Sequence, residues 1–336
     1  MLVVRPAGPA DLPALMELAV LSGRGFTSLP EDCDVLSHRL QLSAESFAGS
    51  VAPAEAWYTL MLEDSATGRI EGVAGVRAAV GMRRPHFSFR VMTLAQYSAA
   101  IDMRFDHQAL VLVNECGGWT EVGSLFLRPE RRSGGAGRLL ARSRYMLIGS
   151  APLRFSETVM AELRGWFDER DHSPFWDGVA SKFFRLPFEE ADRMVTSTDG
   201  QFILDLAPRH PIYVELIDGE ACRAIGRVHR DGEAAKRLLE REGFEASGLI
   251  DIFDGGPTMT CGRDNLLTLR ASRVARVSIG TPDIDAVPHL LSTVGIDAFR
   301  AVQGHATVHE DVARIDADTA RALGVGENDR IRISNG

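Results

Sequence analysis

An α/β fold is predicted from three features of the sequence. "EVGSLFLRPERRSGGAGRLLARSRYML" reads as a strand, a glycine turn and a helix, and "WYTLMLEDSATGRIEGVAGVRAAVG" as two β runs around a polar turn. Two later segments each pass from a loop into an amphipathic helix that closes on an aromatic residue. A chain of 336 residues exceeds one ordinary core, so several units are expected. These are a first domain over 1–205, a second segment over 206–272 that completes its site, and a small β-rich module over 273–336.

The elements follow in order. Leu2–Val4 form a short strand. Asp11 stands where it can cap a helix with Pro13 in its first turn and Leu12, Leu15, Met16 and Ala19 on one face. "SGRGFTSLP" is a loop, and the hairpin after it turns at Glu63–Gly68. Past Gly137, Leu139, Leu140, Met146 and Leu147 recur at helical spacing, while Arg138, Arg142 and Arg144 fall on other faces. "TVMAELRGWFDERDHSPFWDGVASKFFRLPF" is a strand, a loop and a helix ending at Pro187-Phe188. "IGRVHRDGEAAKRLLEREGFEASGLIDIF" is a loop and a helix ending at Gly243-Phe244, then a β run, so the two form a partial internal repeat. Beyond Arg273 come short β runs, a short helix, Gly324 and Gly326 in turns, and a last strand.

Composition narrows the function. A formal net charge of −9 argues against nucleic acid as the main partner, because phosphate-backbone binding relies on basic surface. No apolar run approaches the ~20 residues of a membrane helix, and Arg5 and Asp11 interrupt the N-terminal apolar stretch, so neither membrane insertion nor a signal peptide is expected. Cys33, Cys116, Cys222 and Cys261 are scattered, which fits reduced thiols in a cytoplasmic protein. His305 and His309 stand four apart in a β-rich stretch, where that spacing does not bring side chains together, and no metal is expected.

Against that acidic background, "RPERRSGGAGRLLARSR" at Arg128–Arg144 holds six arginines and three glycines. Taken singly these residues read as an exposed basic connection. In the order strand, glycine turn, helix they read as a phosphate cradle: free N–H groups at a helix start, glycines that let an anion approach, and arginines beside them. No lysine completes a Walker loop, and Leu140 occupies the third glycine position of a dinucleotide fingerprint.

Arg132-x-x-Gly135-x-Gly137 after a strand resembles the pyrophosphate loop of the GNAT acyl-CoA N-acyltransferases. "GFTSLP" at Gly25–Pro30, "SPFW" at Ser173–Trp176, "HPIY" at His210–Tyr213 and "IDIFDGGPT" at Ile250–Thr258 resemble the arginine N-succinyltransferase family. The resemblance implies a GNAT-like acyltransferase fold with a partial second GNAT-like unit and a small C-terminal β-rich module. It implies transfer of succinyl from succinyl-CoA to the α-amine of L-arginine, the first step of that amino acid's catabolism, with no prosthetic group. By position, the strand backbone at Leu125 and Leu127 would hold the pantetheine arm, and Arg132, Gly135, Gly137 and Arg138 the pyrophosphate. A homo- or a hetero-oligomer would both be compatible with it.

Acyl transfer to an amine needs a neutral amine, a stabilised oxyanion and a proton for the leaving thiolate. Where many GNAT enzymes carry a donating tyrosine, five residues before the closing Phe, this chain has Phe183 and Leu239. The family resemblance assigns the proton donor to His229, a side chain able to give and regain a proton near neutrality. Glu121, opening the strand before the cradle, stands where a base is often kept. Glu162, Asp251 and Asp254 are candidate partners for the guanidinium of arginine, with Asp254 and Glu162 preferred, and Gly255-Gly256-Pro257 is a turn that shapes the site. Cys222 and Cys261 read as small buried hydrophobes. Two other readings stay open: a catalytically silent acyl-CoA-binding sensor, and an enzyme acting on another amine such as ornithine.

Overall fold

In the computed structural model, residues 1–23, 28–197 and 201–335 are described. The elements in chain order are β1 (Leu2–Pro6), α1 (Leu12–Ser22), α2 (Cys33–Phe47), β2 (Trp57–Asp64), β3 (Arg69–Arg77), β4 (Ser88–Ser98), β5 (Met103–Val113), β6 (Thr120–Leu127), α3 (Ala136–Ser150) and β7 (Thr158–Glu162). A helical stretch follows, with α4 (Ser181–Phe184), α5 (Phe188–Ser197) and α6 (Gln201–Leu206), then β8 (Ile212–Tyr213) and α7 (Gly219–Ala224). The chain continues with α8 (Glu233–Glu242), β9 (Glu245–Ile250), β10 (Pro257–Gly262), α9 (Leu267–Arg270), β11 (Ser272–Ile279), β12 (Val287–Thr293), β13 (Ala301–His309), β14 (Val312–Ile315), α10 (Ala317–Leu323) and β15 (Arg330–Asn335).

The central sheet runs β1-β2-β3-β6-β7-β10-β9-β4-β5-β8, antiparallel except for the β6–β7 pair. Joining those two parallel neighbours requires a crossover, and α3 supplies it. The segment expected as a partial second unit joins this same sheet: β10 pairs with β7, and β9 lies between β10 and β4. Leu139, Leu140 and Leu147 of α3 pack with Val122, Val159 and Ala161 on one face, together with Leu239 of α8. On the opposite face, Leu15 and Leu18 of α1 and Leu36 and Leu40 of α2 cover Met61, Val73 and Phe126. The C-terminal module closes on itself, β12-β15-β11-β14-β13 and back to β12, around Val277, Leu291, Ile315 and Ile331, and β1 joins it to the central sheet through β13.

Three sequence expectations are corrected. Asp11 does not cap α1 with its side chain. Its carboxylate accepts the Gly8 N–H at 2.8 Å and pairs with Arg5 at 2.8 Å, closing the turn that precedes the helix. Arg144 lies buried rather than on an outer face: its Nε donates to the Ala141 carbonyl and its guanidinium stands over the Tyr145 ring. The helix expected to end at Pro187-Phe188 stops at Phe184, where Arg185 takes a left-handed backbone (φ +55°), and Phe188 begins another helix. The two predicted loop–helix segments therefore part company, since α8 does pass through Gly243 directly into β9.

Candidate active site

The site begins where two parallel strands separate. β6 and β7 are paired at Thr120–Val159 and Glu121–Met160 and at no later position among the described residues. The separation coincides with a bulge in β6, where the β3 register steps between Val73/Phe126 and Gly75/Gly123 and Ser124 adopts φ +50°. One extra residue reverses the faces. Val122 points toward α3, whereas Phe126 points toward α1 and α2, which turns Leu125 and Leu127 to the α3 side. Their backbone edge faces the gap.

α3 starts at the mouth of this wedge. Gly134 and Gly135 both have positive φ (+79° and +87°), a conformation that an L side chain enters only with strain, and Gly135 caps the helix. Gly137 serves closeness instead: a Cβ there would stand 3.2 Å from Leu127 Cδ1, so the helix start lies directly on the strand end. The first-turn N–H groups precede any intrahelical partner, the Leu139 N–H being the first to reach back, to the Gly135 carbonyl.

The six arginines divide by partner. Arg128 is buried and grips Glu17 through two bonds of 2.6 Å, and Arg131 pairs with Asp64 and Glu71. Arg142 is tied to Thr268 and the Ser334–Asn335 strand, and Arg144 is buried. Arg132 and Arg138 remain exposed beside the helix start. The cradle therefore presents two of the six charges; Arg128 and Arg131 fasten the segment before the helix, Arg142 ties the helix to its surroundings, and Arg144 bonds within the helix. A cavity of about 350 Å³ adjoins it, bounded by Met1 and Leu2, Gly134–Ala136, Leu139 and, from the terminal barrel, Pro288 and Gln303–His305.

His229 lies on the β7 side of the wedge. Beyond Glu162 the chain stays extended: the N–H groups of Leu163 and Gly165 bond toward the β10 side, to the Pro257 carbonyl and Asp254 Oδ2. Alternation turns the Arg164 carbonyl to the other edge, which faces β6, and there it accepts the His229 N–H at 2.8 Å. The imidazole is buried against the Phe167 ring. Its Nδ1 accepts the Asp231 N–H at 3.1 Å, which places the ring proton on Nε2. Burial, then the Arg164 charge, hold its pKa below the ordinary histidine value.

On the face opposite α3 stands a charged group. Glu121 and Arg77 sit directly across β6 and β3 and pair at 3.4 Å. Glu162 of β7 bonds His86 Nε2 at 2.9 Å. The Trp57 ring has Arg39 at 4.4 Å and Arg77 at 4.9 Å. The sequence reading missed Arg39, Trp57, Arg77 and His86, because they come from three separated stretches with no common spacing. The Glu162 charge, against the effect of burial, lifts the His86 pKa to about 9. Burial alone would raise Glu162, but the His86 charge and hydrogen bond outweigh it and keep it below the ordinary value.

This pair has a predictable signature. His86 rises on folding from 6.5 to about 9, so its contribution is complete below pH 6.5 and fades as pH climbs to about 9. Glu162 is depressed, so its share is present above its ordinary 4.5 and lost as pH falls through the acid range. The midpoint of thermal unfolding should therefore decline between pH 6.5 and 9, and His86→Gln should flatten that decline. Equal alkaline slopes in both proteins would remove the pair from the stability account.

Asp254 does not present a free carboxylate to this face. Oδ2 accepts the Gly165 N–H at 2.7 Å and Oδ1 the Gly256 N–H at 2.8 Å, while Asp251 Oδ1 accepts the N–H groups of Phe253 and Asp254. Burial raises both pKa values. These bonds tie the Gly255–Gly256 turn to the end of β7, which gives Asp254 a positioning role. Asp254→Asn should cost about 1–3 kcal/mol of stability, since an amide N–H would then face a backbone N–H. A raised arginine KM in Asp254→Asn without any loss of melting temperature would return it to the binding residues. Arg24–Thr27, within the "SGRGFTSLP" loop expected to take part in the acceptor site, lie outside the described residues.

No helix among the described residues is long and apolar enough to cross a membrane, and no cluster of metal-binding side chains is found among them. Comparison with known proteins gives a consistent picture. The family described as arginine N-succinyltransferase beta subunit matches residues 2–268, and its C-terminal domain matches 273–335. The arginine N-succinyltransferase of Enterobacter sp. (strain 638) is 38% identical over 306 residues, 91% of this chain and 89% of that protein. That of Escherichia coli (strain 55989 / EAEC) is 36% identical over 334 residues, 99% and 97% of the two chains. The solved arginine/ornithine succinyltransferase subunit AI from Pseudomonas aeruginosa, 34% identical, superimposes with a TM-score of 0.90 over 100% of this chain and 98% of that one.

Proposed function

This chain belongs to the arginine N-succinyltransferase family, and from that premise we propose how its site carries out the reaction. It is an acyltransferase that moves a succinyl group onto arginine. We assign succinyl-CoA as the donor and the α-amine of L-arginine as the acceptor, meeting in one ternary complex and yielding N2-succinyl-L-arginine and free CoA. The observation that carries this assignment is the wedge between β6 and β7 with a helix start at its mouth. It offers unpaired strand backbone to an amide-bearing arm and N–H groups to a diphosphate.

The pantetheine arm lies along Leu125 and Leu127, and the pyrophosphate rests on the first turn of α3 beside Arg132 and Arg138. The acceptor enters from the opposite face, where Glu162 attracts its guanidinium and Glu121 takes a proton from the amine directly or through water. The amine nitrogen bonds to the thioester carbon and the C–S bond breaks. His229 donates a hydrogen bond from Nε2–H that stabilises the departing thiolate, and the thiolate becomes a thiol by taking up the proton the amine gave to Glu121, delivered through water. The Pseudomonas relative is named for both arginine and ornithine. Ornithine, shorter and ending in an ammonium, is the natural second acceptor to compare.

Release of free thiol on mixing succinyl-CoA with L-arginine, with the product identified by mass spectrometry, tests this reading. One thiol per N2-succinylarginine is expected. CoA binding without turnover on either amine would make the chain a silent acyl-CoA sensor.

A further inference from the structure

We propose that Arg39 binds the terminal carboxylate of the succinyl group, and so selects an ω-carboxylated acyl-CoA over an uncharged one of equal length. The proposal rests on the functional reading above and adds the residue that reads the donor's far end.

Position is the first argument. Nη1 of Arg39 donates to the Ser28 carbonyl at 2.5 Å, and that same carbonyl accepts the hydroxyl of Ser124 at 3.1 Å. Ser124 is the bulge residue immediately before Leu125. The guanidinium is thus one carbonyl away from the strand that carries the thioester end of the pantetheine. From the thioester carbon to the carboxyl carbon, succinyl spans three C–C bonds, about 4 Å end to end. Gly75, Ser124 and Trp57 stand together here: a Cβ at Gly75 would make ordinary van der Waals contact with Ser124 Oγ at 3.4 Å and Trp57 Nε1 at 3.5 Å.

Charge is the second argument. Arg77 has Glu121 at 3.4 Å and His86 has Glu162 at 2.9 Å, but Arg39 has no carboxylate within 4.0 Å among the described residues. The face therefore holds three cations against two of these carboxylates, and the unanswered charge sits on a guanidinium stacked on Trp57. Arg39 is half-buried, and holding a guanidinium partly out of water without an anion is costly, a cost that an anionic ligand offsets. Burial, reinforced by Arg77 and only partly offset by Glu121, lowers its pKa to about 10. After the bond to Ser28, the planar fork keeps further N–H groups for a carboxylate. The terminal carboxylate is the feature that distinguishes succinyl-CoA from butyryl-CoA.

The test compares these two donors on the full chain, at saturating L-arginine, in the wild type, Arg39→Gln and Arg39→Lys. The wild type should favour succinyl-CoA, and Arg39→Gln should reduce kcat/KM for it by about 10–100-fold while butyryl-CoA changes little. Arg39→Lys should fall between. Both donors are read on one preparation, so any loss of folded protein cancels from the ratio. A wild-type ratio near one, or equal losses on both donors, overturns the proposal. So does a raised arginine KM with collapse of the preference for arginine over agmatine, which would assign Arg39 to the acceptor's carboxylate. No thiol from either donor in the wild type would instead overturn the functional reading itself, and this proposal with it.

Discussion

His229→Ala is expected to lower kcat by about 10²–10⁴-fold while leaving the KM for succinyl-CoA nearly unchanged. The side chain is held from two directions, by its own N–H on the Arg164 carbonyl and by the Asp231 N–H on Nδ1. The first of these is a backbone bond and survives the substitution, so the strand edge stays in place and the loss falls on chemistry. Collapse of the tetrahedral intermediate must expel a thiolate, and the Nε2–H is the group poised to stabilise it. A CoA analogue with a better leaving thiol should shrink the loss, because such a thiol needs less help from a donor. Because burial and Arg164 hold the imidazole pKa low, the ring stays neutral at neutral pH. Its protonation should affect the rate only below the ordinary histidine range. Near-normal turnover in His229→Ala would pass the donor role to water or another side chain, and a rise in KM alone would make His229 a binding residue.

The second large effect concerns the cradle. Gly135→Val should raise the KM for succinyl-CoA by about 10–100-fold and leave that for arginine nearly constant. At φ +87° a β-branched residue is strained, and the backbone escapes that strain by moving the first turn of α3 away from the wedge. Space is not the obstacle, since a Cβ there would find only Gln303 Oε1, at 3.8 Å. The effect therefore reports backbone conformation. With Arg132 and Arg138 exposed, donor affinity should also weaken as ionic strength rises. Equal effects on both substrates, or none, would place the CoA site elsewhere.

What could be read from the sequence was local. The hairpin over Trp57–Arg77, the strand–glycine–helix passage into α3 and the Gly243 link from α8 to β9 all follow from periodicity and turn chemistry acting between neighbours. What could not be read depends on distant partners. Arg128 and Arg131 look available for an anion until Glu17, Asp64 and Glu71 are brought beside them from elsewhere in the chain. Asp254 is a carboxylate of the right type for a guanidinium, but the fold directs its oxygens to the backbone of Gly165 and Gly256. Arg144 fits an exposed helical position by spacing and is covered by neighbouring elements that spacing does not reveal. The wedge is likewise a tertiary feature: "EVGSLF" reads as a plain β run, and nothing local says that β7 will pair with Thr120 and Glu121 and then depart.

The most direct test of the account is a crystal structure of the full chain with CoA. The pantetheine should lie between β6 and β7, its amides bonded to the backbone of Leu125 and Leu127, with the diphosphate on the N–H groups of Gly135–Arg138. CoA bound with the wedge empty, for instance in the cavity between Thr293–Arg300 and Arg321–Arg330 of the terminal barrel, would contradict it.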